Sequence, residues 1–70
     1  MKYAVVYEKA PGNCSAYVPD LPGCIATGAT REEVKKSMRE AIAFHIEGMQ
    51  LEDLPIPEPS AWAETVEVSV

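Results

Sequence analysis

Two prolines and a glycine fall within five residues at Pro19-Asp20-Leu21-Pro22-Gly23. Neither a helix nor a central strand tolerates that density, because proline lacks the amide donor and fixes its φ. The segment is therefore a tight connection between two elements. Upstream, Tyr3 to Tyr7 is aromatic and β-branched and reads as a strand. Lys9-Ala10-Pro11-Gly12-Asn13 supplies hairpin-turn residues, and Cys14 to Val18 reads as the returning strand. Downstream, Cys24 to Gly28 makes a third strand, completing an antiparallel meander.

The helix is announced by Thr30 and Glu33, the Thr-x-x-Glu capping box in which each side chain satisfies a free backbone amide of the other. Apolar residues then recur at Val34, Met38, Ala41, Ile42, Ile46 and Met49, a helical period over four turns. Lys35, Lys36, Arg39, Glu40, Ala43 and Glu47 fall opposite. The spacing predicts an end near Met49 or Gln50. Pro55, Pro57 and Pro59 then keep the chain extended. Val66, Val68 and Val70 alternate with Thr65, Glu67 and Ser69, the pattern of a half-buried strand. The order β-β-β-α-β implies one α+β domain over residues 1–70, with two layers and a C-terminal strand returning to the sheet. A single helix covers one face only. The other meets water, a second copy or a partner.

Seventy residues bury only about 60% of their unfolded surface, and such small cores supply about 3–5 kcal/mol. Extra burial through a homodimer or larger assembly, or through a partner, is expected. Two cysteines, Cys14 and Cys24, and one histidine, His45, provide neither a disulfide framework nor zinc-ligand spacing, so no metal or cofactor is expected. The N-terminus has no apolar run and cleavage site of a signal peptide, and no stretch reaches the roughly 20 apolar residues of a membrane span. A cytoplasmic location follows, with both cysteines reduced, a structural disulfide being the alternative.

Charge is distributed unevenly. All six basic residues lie at or before Arg39, against four acids there, giving about +2. Glu40, Glu47, Glu52, Asp53, Glu58, Glu64 and Glu67 follow with no Lys or Arg, giving −7. That field repels phosphate backbones and suits a basic partner, or else serves acidic solubility.

Tyr17-Val18-Pro19-Asp20-Leu21-Pro22-Gly23-Cys24, then Gly28, Thr30-Arg31-Glu32-Glu33 and Glu40-Ala41-Ile42, resemble the HicB-type antitoxin family in residue and spacing, with Ile56-Pro57 extending the match to about residue 57. The resemblance implies a degenerate ribonuclease H-like fold that neutralises a small basic HicA-type toxin, an RNA-cleaving protein. Many such antitoxins continue into a DNA-binding segment. This sequence stops at Val70, so direct DNA binding is not expected of it.

Candidate residues each carry two readings. Asp20 either aims its charge at a basic partner or caps its own turn as an Asx residue does. His45 is either a general base or, with no nucleophile or second ligand beside it, a buried neutral side chain bonded to a carbonyl. Glu8, Asp20 and Glu40 are the acids nearest to a two-metal nuclease cluster, the minor, enzymatic alternative. An orphan homo-oligomer without a toxin is the other alternative. The partner surface expected from charge comprises Asp20, Glu40, Glu47, Glu52 and Asp53, with no catalytic residue.

Overall fold

A computed structural model describes residues 1–70. Three strands, β1 (Val6–Ala10), β2 (Asn13–Tyr17) and β3 (Ile25–Gly28), form an antiparallel sheet in the order β1-β2-β3, and one helix, α1 (Arg31–Leu51), follows. The α+β meander expected from the turns is present. Its register is fixed by the first loop. Ala10 pairs with Asn13 across Pro11-Gly12, and Gly12 holds φ +82, the positive value that the second central position of a type II turn demands. Pairing then runs back to Val6 and Tyr17, which places β1 three residues later than the Tyr3–Tyr7 expected from composition. Tyr3 and Val5 still pack on the core from the lead-in.

The proline-rich connection is two β-turns in series. Leu21 N–H donates to the Val18 carbonyl at 3.1 Å, with Pro19 at the corner. Cys24 N–H donates to the Leu21 carbonyl at 3.0 Å, with Pro22 and Gly23 (φ +83) at the corner. Val18 N–H to the Cys24 carbonyl, 3.2 Å, closes the pair. Each proline occupies a corner where its missing donor is not needed and its fixed φ is already correct. The pivot between the turns, Leu21, is fully buried.

Thr30 caps α1, its hydroxyl accepting from Glu33 N–H at 3.2 Å. The Glu33 carboxylate reaches back to the Ala29 amide at 3.0 Å, one residue earlier than the reciprocal box expects. The helix runs to Leu51, past the expected end at Met49 or Gln50, and stops in a Schellman arrangement. Leu54 N–H donates to the Met49 carbonyl and Asp53 N–H to that of Gln50, at 2.9 and 3.1 Å, with Asp53 in the left-handed region at φ 57.

The core comprises Cys14, Ala16, Val18, Leu21, Cys24, Val34 and Met38. Ala16 and Ala26 with Tyr7, and Cys14 and Gly28 with Lys9, form cross-strand rows on the helix side. Val6, Tyr17 and Ile25 make an apolar row on the opposite face. Length explains why the core is confined. Twenty-one helical residues span about 30 Å, whereas five-residue strands span about 17 Å. The C-terminal half of α1 overhangs the sheet, so Ala41, Ile42, Ile46 and Met49 are only half-buried.

The fourth strand expected at Val66–Val70 is not part of this sheet. Residues 54–70 have no regular secondary structure, and Val66, Val68 and Val70 are exposed. Two anchors account for the path. The Tyr3 hydroxyl donates to the Pro57 carbonyl, and Asp20 holds Ser60 and Ala61. The chain thus crosses the end of the sheet at which β1 begins and β2 finishes, and leaves the body beyond it.

Candidate functional site

The acids singled out by charge separate into two places. Glu40, Glu47, Glu52 and Asp53 stand exposed along the overhanging half of α1 and its cap. Asp20 is half-buried at the far side of the double turn, and its carboxylate is occupied. One oxygen accepts the Ser60 and Ala61 amides at 3.0 and 3.1 Å, and the other accepts the Ser60 hydroxyl at 2.6 Å. These bonds, led by the Ser60 hydroxyl, hold its carboxyl below the usual carboxylate range. Asp20 therefore does not cap its own turn; three of its acceptor sites are taken by the tail. It ties the turn to the tail.

The exposed side of α1 has its own pattern. Glu40, Phe44, Glu47 and Leu51 follow at i, i+4, i+7 and i+11, one line along the helix. Phe44 and Leu51 are 79% and 81% exposed, so two large apolar groups alternate with two acids. Around the edge, Pro22, Phe44, His45, Met49 and Leu54 line a shallow groove with Glu52 at its rim. His45 is half-buried there rather than buried, because the sheet does not reach under this part of the helix.

Electrostatics sharpen the end of the helix. The backbone dipole places roughly half a negative charge at the C-terminus, where Lys or Arg is normally favoured. The last turn has no base, and Glu47, Glu52 and Asp53 add their charges to that of the dipole. Locally this costs stability, as does a non-glycine residue at positive φ. Departures from local preference of this kind concentrate where a surface serves another molecule.

Glu8, Asp20 and Glu40 lie in β1, in the β2–β3 connection and in α1, and no three His, Cys, Asp or Glu side chains come together as a metal-binding group. Cys14 and Cys24 are unbonded core thiols, and burial pushes Cys24 up. No helix is long and apolar enough to cross a membrane. Charge alone missed Phe44 and Leu51, although their spacing between Glu40 and Glu47 is visible in the sequence once the helix is known to reach Leu51. No local pattern signals the pairing of Asp20 with Ser60.

Comparison with known proteins gives this surface a context. A UPF0150 protein of Thermoplasma acidophilum is 37% identical over 67 residues, covering 94% of this chain and 97% of the relative. An uncharacterised 14.9 kDa protein of Haemophilus phage HP1 is 41% identical over 58 residues, 83% of this chain, but the chain spans only 44% of that protein. A chain in a solved HicA3 and HicB3 toxin-antitoxin complex is similar with a TM-score of 0.69 and 33% identity, over 84% of this chain and 70% of that one. The family described as HicB_like antitoxin of bacterial toxin-antitoxin system matches residues 3–69. With the match spanning the meander, double turn, helix and tail alike, the chain belongs to the HicB-like antitoxin family.

Proposed function

We propose that this chain is a cytoplasmic binding module, without catalytic chemistry of its own, that neutralises a small basic HicA-type ribonuclease toxin by direct contact. The contact surface is the outward side and C-terminal end of α1, with Glu40, Glu47, Glu52 and Asp53 around Phe44 and Leu51. The observation that carries the reading is the alternation of acids with two almost fully exposed large apolar residues on one helix line. An exposed phenylalanine and leucine contribute nothing to this core, but an apolar pair rimmed by charges is the kind of patch that a protein interface covers. The acids would steer a basic toxin and cover the surface with which it meets RNA, while the apolar pair limits dissociation. The same negative field disfavours phosphate backbones, so direct DNA binding is not part of this reading.

The β-β-β-α layer serves, in this reading, as a degenerate ribonuclease H-like scaffold rather than a nuclease. Asp20 contributes by fixing the tail, not by facing the toxin. The test is co-expression with a small basic protein encoded beside this gene, followed by affinity capture and a growth-rescue assay. Co-purification with restored growth is expected. Failure of both overturns the reading and leaves a homo-oligomeric module without a toxin.

A further inference from the structure

We propose that residues 62–70 of one copy form the fourth strand of a second copy's sheet, along the free edge of β1, so that the protein assembles by reciprocal exchange of its tails. This goes beyond the toxin-binding reading and does not depend on it. The tail has a strand's pattern and no strand's partner. Glu64, Val66, Val68 and Val70 share one side, and Thr65, Glu67 and Ser69 the other, yet the three valines and Trp62 are all exposed. Alternation of this kind is stable only when one side is covered and the backbone is paired.

The tail does not supply that partner within its own chain. Pro57 is held by Tyr3 and Ser60–Ala61 by Asp20, and beyond these anchors the chain departs from the sheet. The molecule consequently measures 49 × 26 × 15 Å, with a radius of gyration of 13.9 Å. A compact 70-residue domain has about 11 Å. It exposes 5762 Å², against about 4,300 Å² for a compact monomer of this mass. The excess is of the order that a specific interface buries in total.

The β1 edge fits the tail in shape and in charge. Tyr7 lies on the helix side of β1 and remains 37% exposed, because no strand continues the sheet beyond it. A groove lined by Tyr7, Arg31, Glu32 and Lys35 runs between this edge and α1, and Glu8, Lys9 and Arg31 line the adjoining one, so bases outnumber acids along the edge. Nine extended residues reach about 30 Å, ample for a five-residue strand of about 17 Å. A tail whose valine side faces the helix layer sets Val66 and Val68 against Tyr7. Glu64, on that same side, then enters the groove where Arg31 and Lys35 outnumber Glu32, and the tail brings no base of its own. Backbone pairing also removes the open edge that β1 otherwise presents.

Light scattering on the full chain at micromolar concentration tests the assembly, and isotope-filtered NMR on a mixture of labelled and unlabelled chains tests its route. The expected result is a species of twice the 7.6 kDa chain mass, with Val66 or Val68 methyl contacts to Tyr7 seen between chains. Val68→Pro removes a strand donor in a segment outside the core, and is expected to halve the mass while leaving the amide spectrum of β1–β3 folded. A 7.6 kDa wild-type species overturns the proposal. So do Val–Tyr7 contacts found only within one chain, or a dimer that survives Val68→Pro unchanged.

Discussion

Asp20 holds Ser60 twice, through its backbone amide at 3.0 Å and its hydroxyl at 2.6 Å, across forty residues of sequence. Together with the Ala61 amide at 3.1 Å, this makes one carboxylate the junction between the double turn and the tail. The junction is strongest when ionised, since the carboxylate accepts all three bonds with charge assistance and the carboxylic acid accepts them more weakly.

The pH dependence follows in sign. The folded carboxyl sits below the ordinary value of about 3.9, so its contribution is complete above that value and lost as pH falls through the folded one. The Ser60 and Ala61 amide resonances are expected to stay constant from neutral pH to about pH 4 and to move only below it. Asp20→Asn is expected to shift both amides at neutral pH and abolish the acid transition. A midpoint at or above the ordinary value contradicts the anchor.

Asp53 carries the positive φ at the end of α1. Glycine there avoids the left-handed penalty of about 1–2 kcal/mol, partly offset by the entropy glycine loses on folding. It also removes a negative charge from the negative end of the dipole. Asp53→Gly is expected to stabilise by about 0.5–1 kcal/mol. At this size that raises Tm by roughly 2–8 °C, measurable by thermal denaturation. An unchanged or lowered Tm contradicts the cap geometry.

Gly28 lies tight against the first turn of α1. A Cβ there would lie 3.2 Å from Val34 Cγ2 and 3.3 Å from Glu33 Cβ. Val34 is fully buried, and Glu33 is engaged at the cap, so neither moves freely. Gly28→Ala is expected to cost about 1–2 kcal/mol, as overpacking does. Against the 3–5 kcal/mol or so of a core this small, that is a large share, and chemical denaturation would register it. Wild-type stability in this variant would mean that the two elements are less tightly seated than described.

Much of this fold is legible in local chemistry. Pro19, Pro22 and Gly23 write two turns that proline geometry alone dictates, and Thr30 with Glu33 writes a helix start. Charge distribution groups Asp20 with Glu40, Glu47, Glu52 and Asp53, whereas in the structure the last four lie along α1 and its cap and Asp20 lies apart, in the double turn. What local pattern leaves undetermined is long-range. Val66, Val68 and Val70 specify a strand but not its neighbour, and in this chain they pair with nothing. Asp20 was readable as a cap or a contact because a turn acid can do either, and its actual partner lies forty residues away. The half-burial of His45 depends on the helix outrunning the sheet, a mismatch of two lengths that no single segment records.

The acid and apolar halves of the α1 surface are expected to fail in different ways when toxin binding is measured. Glu47 lies at the exposed centre of the line and makes no core contact, so Glu47→Lys acts through the field. Reversing that charge should slow association with a basic toxin, and the salt dependence of the association rate should flatten, with dissociation little changed. Phe44 is the largest apolar group on the same line, and truncation removes packing rather than charge. Phe44→Ala is expected to cost about 2 kcal/mol, roughly thirtyfold in Kd, nearly all of it as faster dissociation. Both positions are exposed, so unfolding free energies should stay within about 0.5 kcal/mol of wild type. Surface plasmon resonance at two salt concentrations separates the effects. If Glu47→Lys and Phe44→Ala both leave the rates unchanged while the toxin still binds, the contact lies elsewhere on the chain. The uncovered Val6, Tyr17 and Ile25 row is then the next surface to mutate, because it is the other apolar group that the sheet leaves without a layer over it.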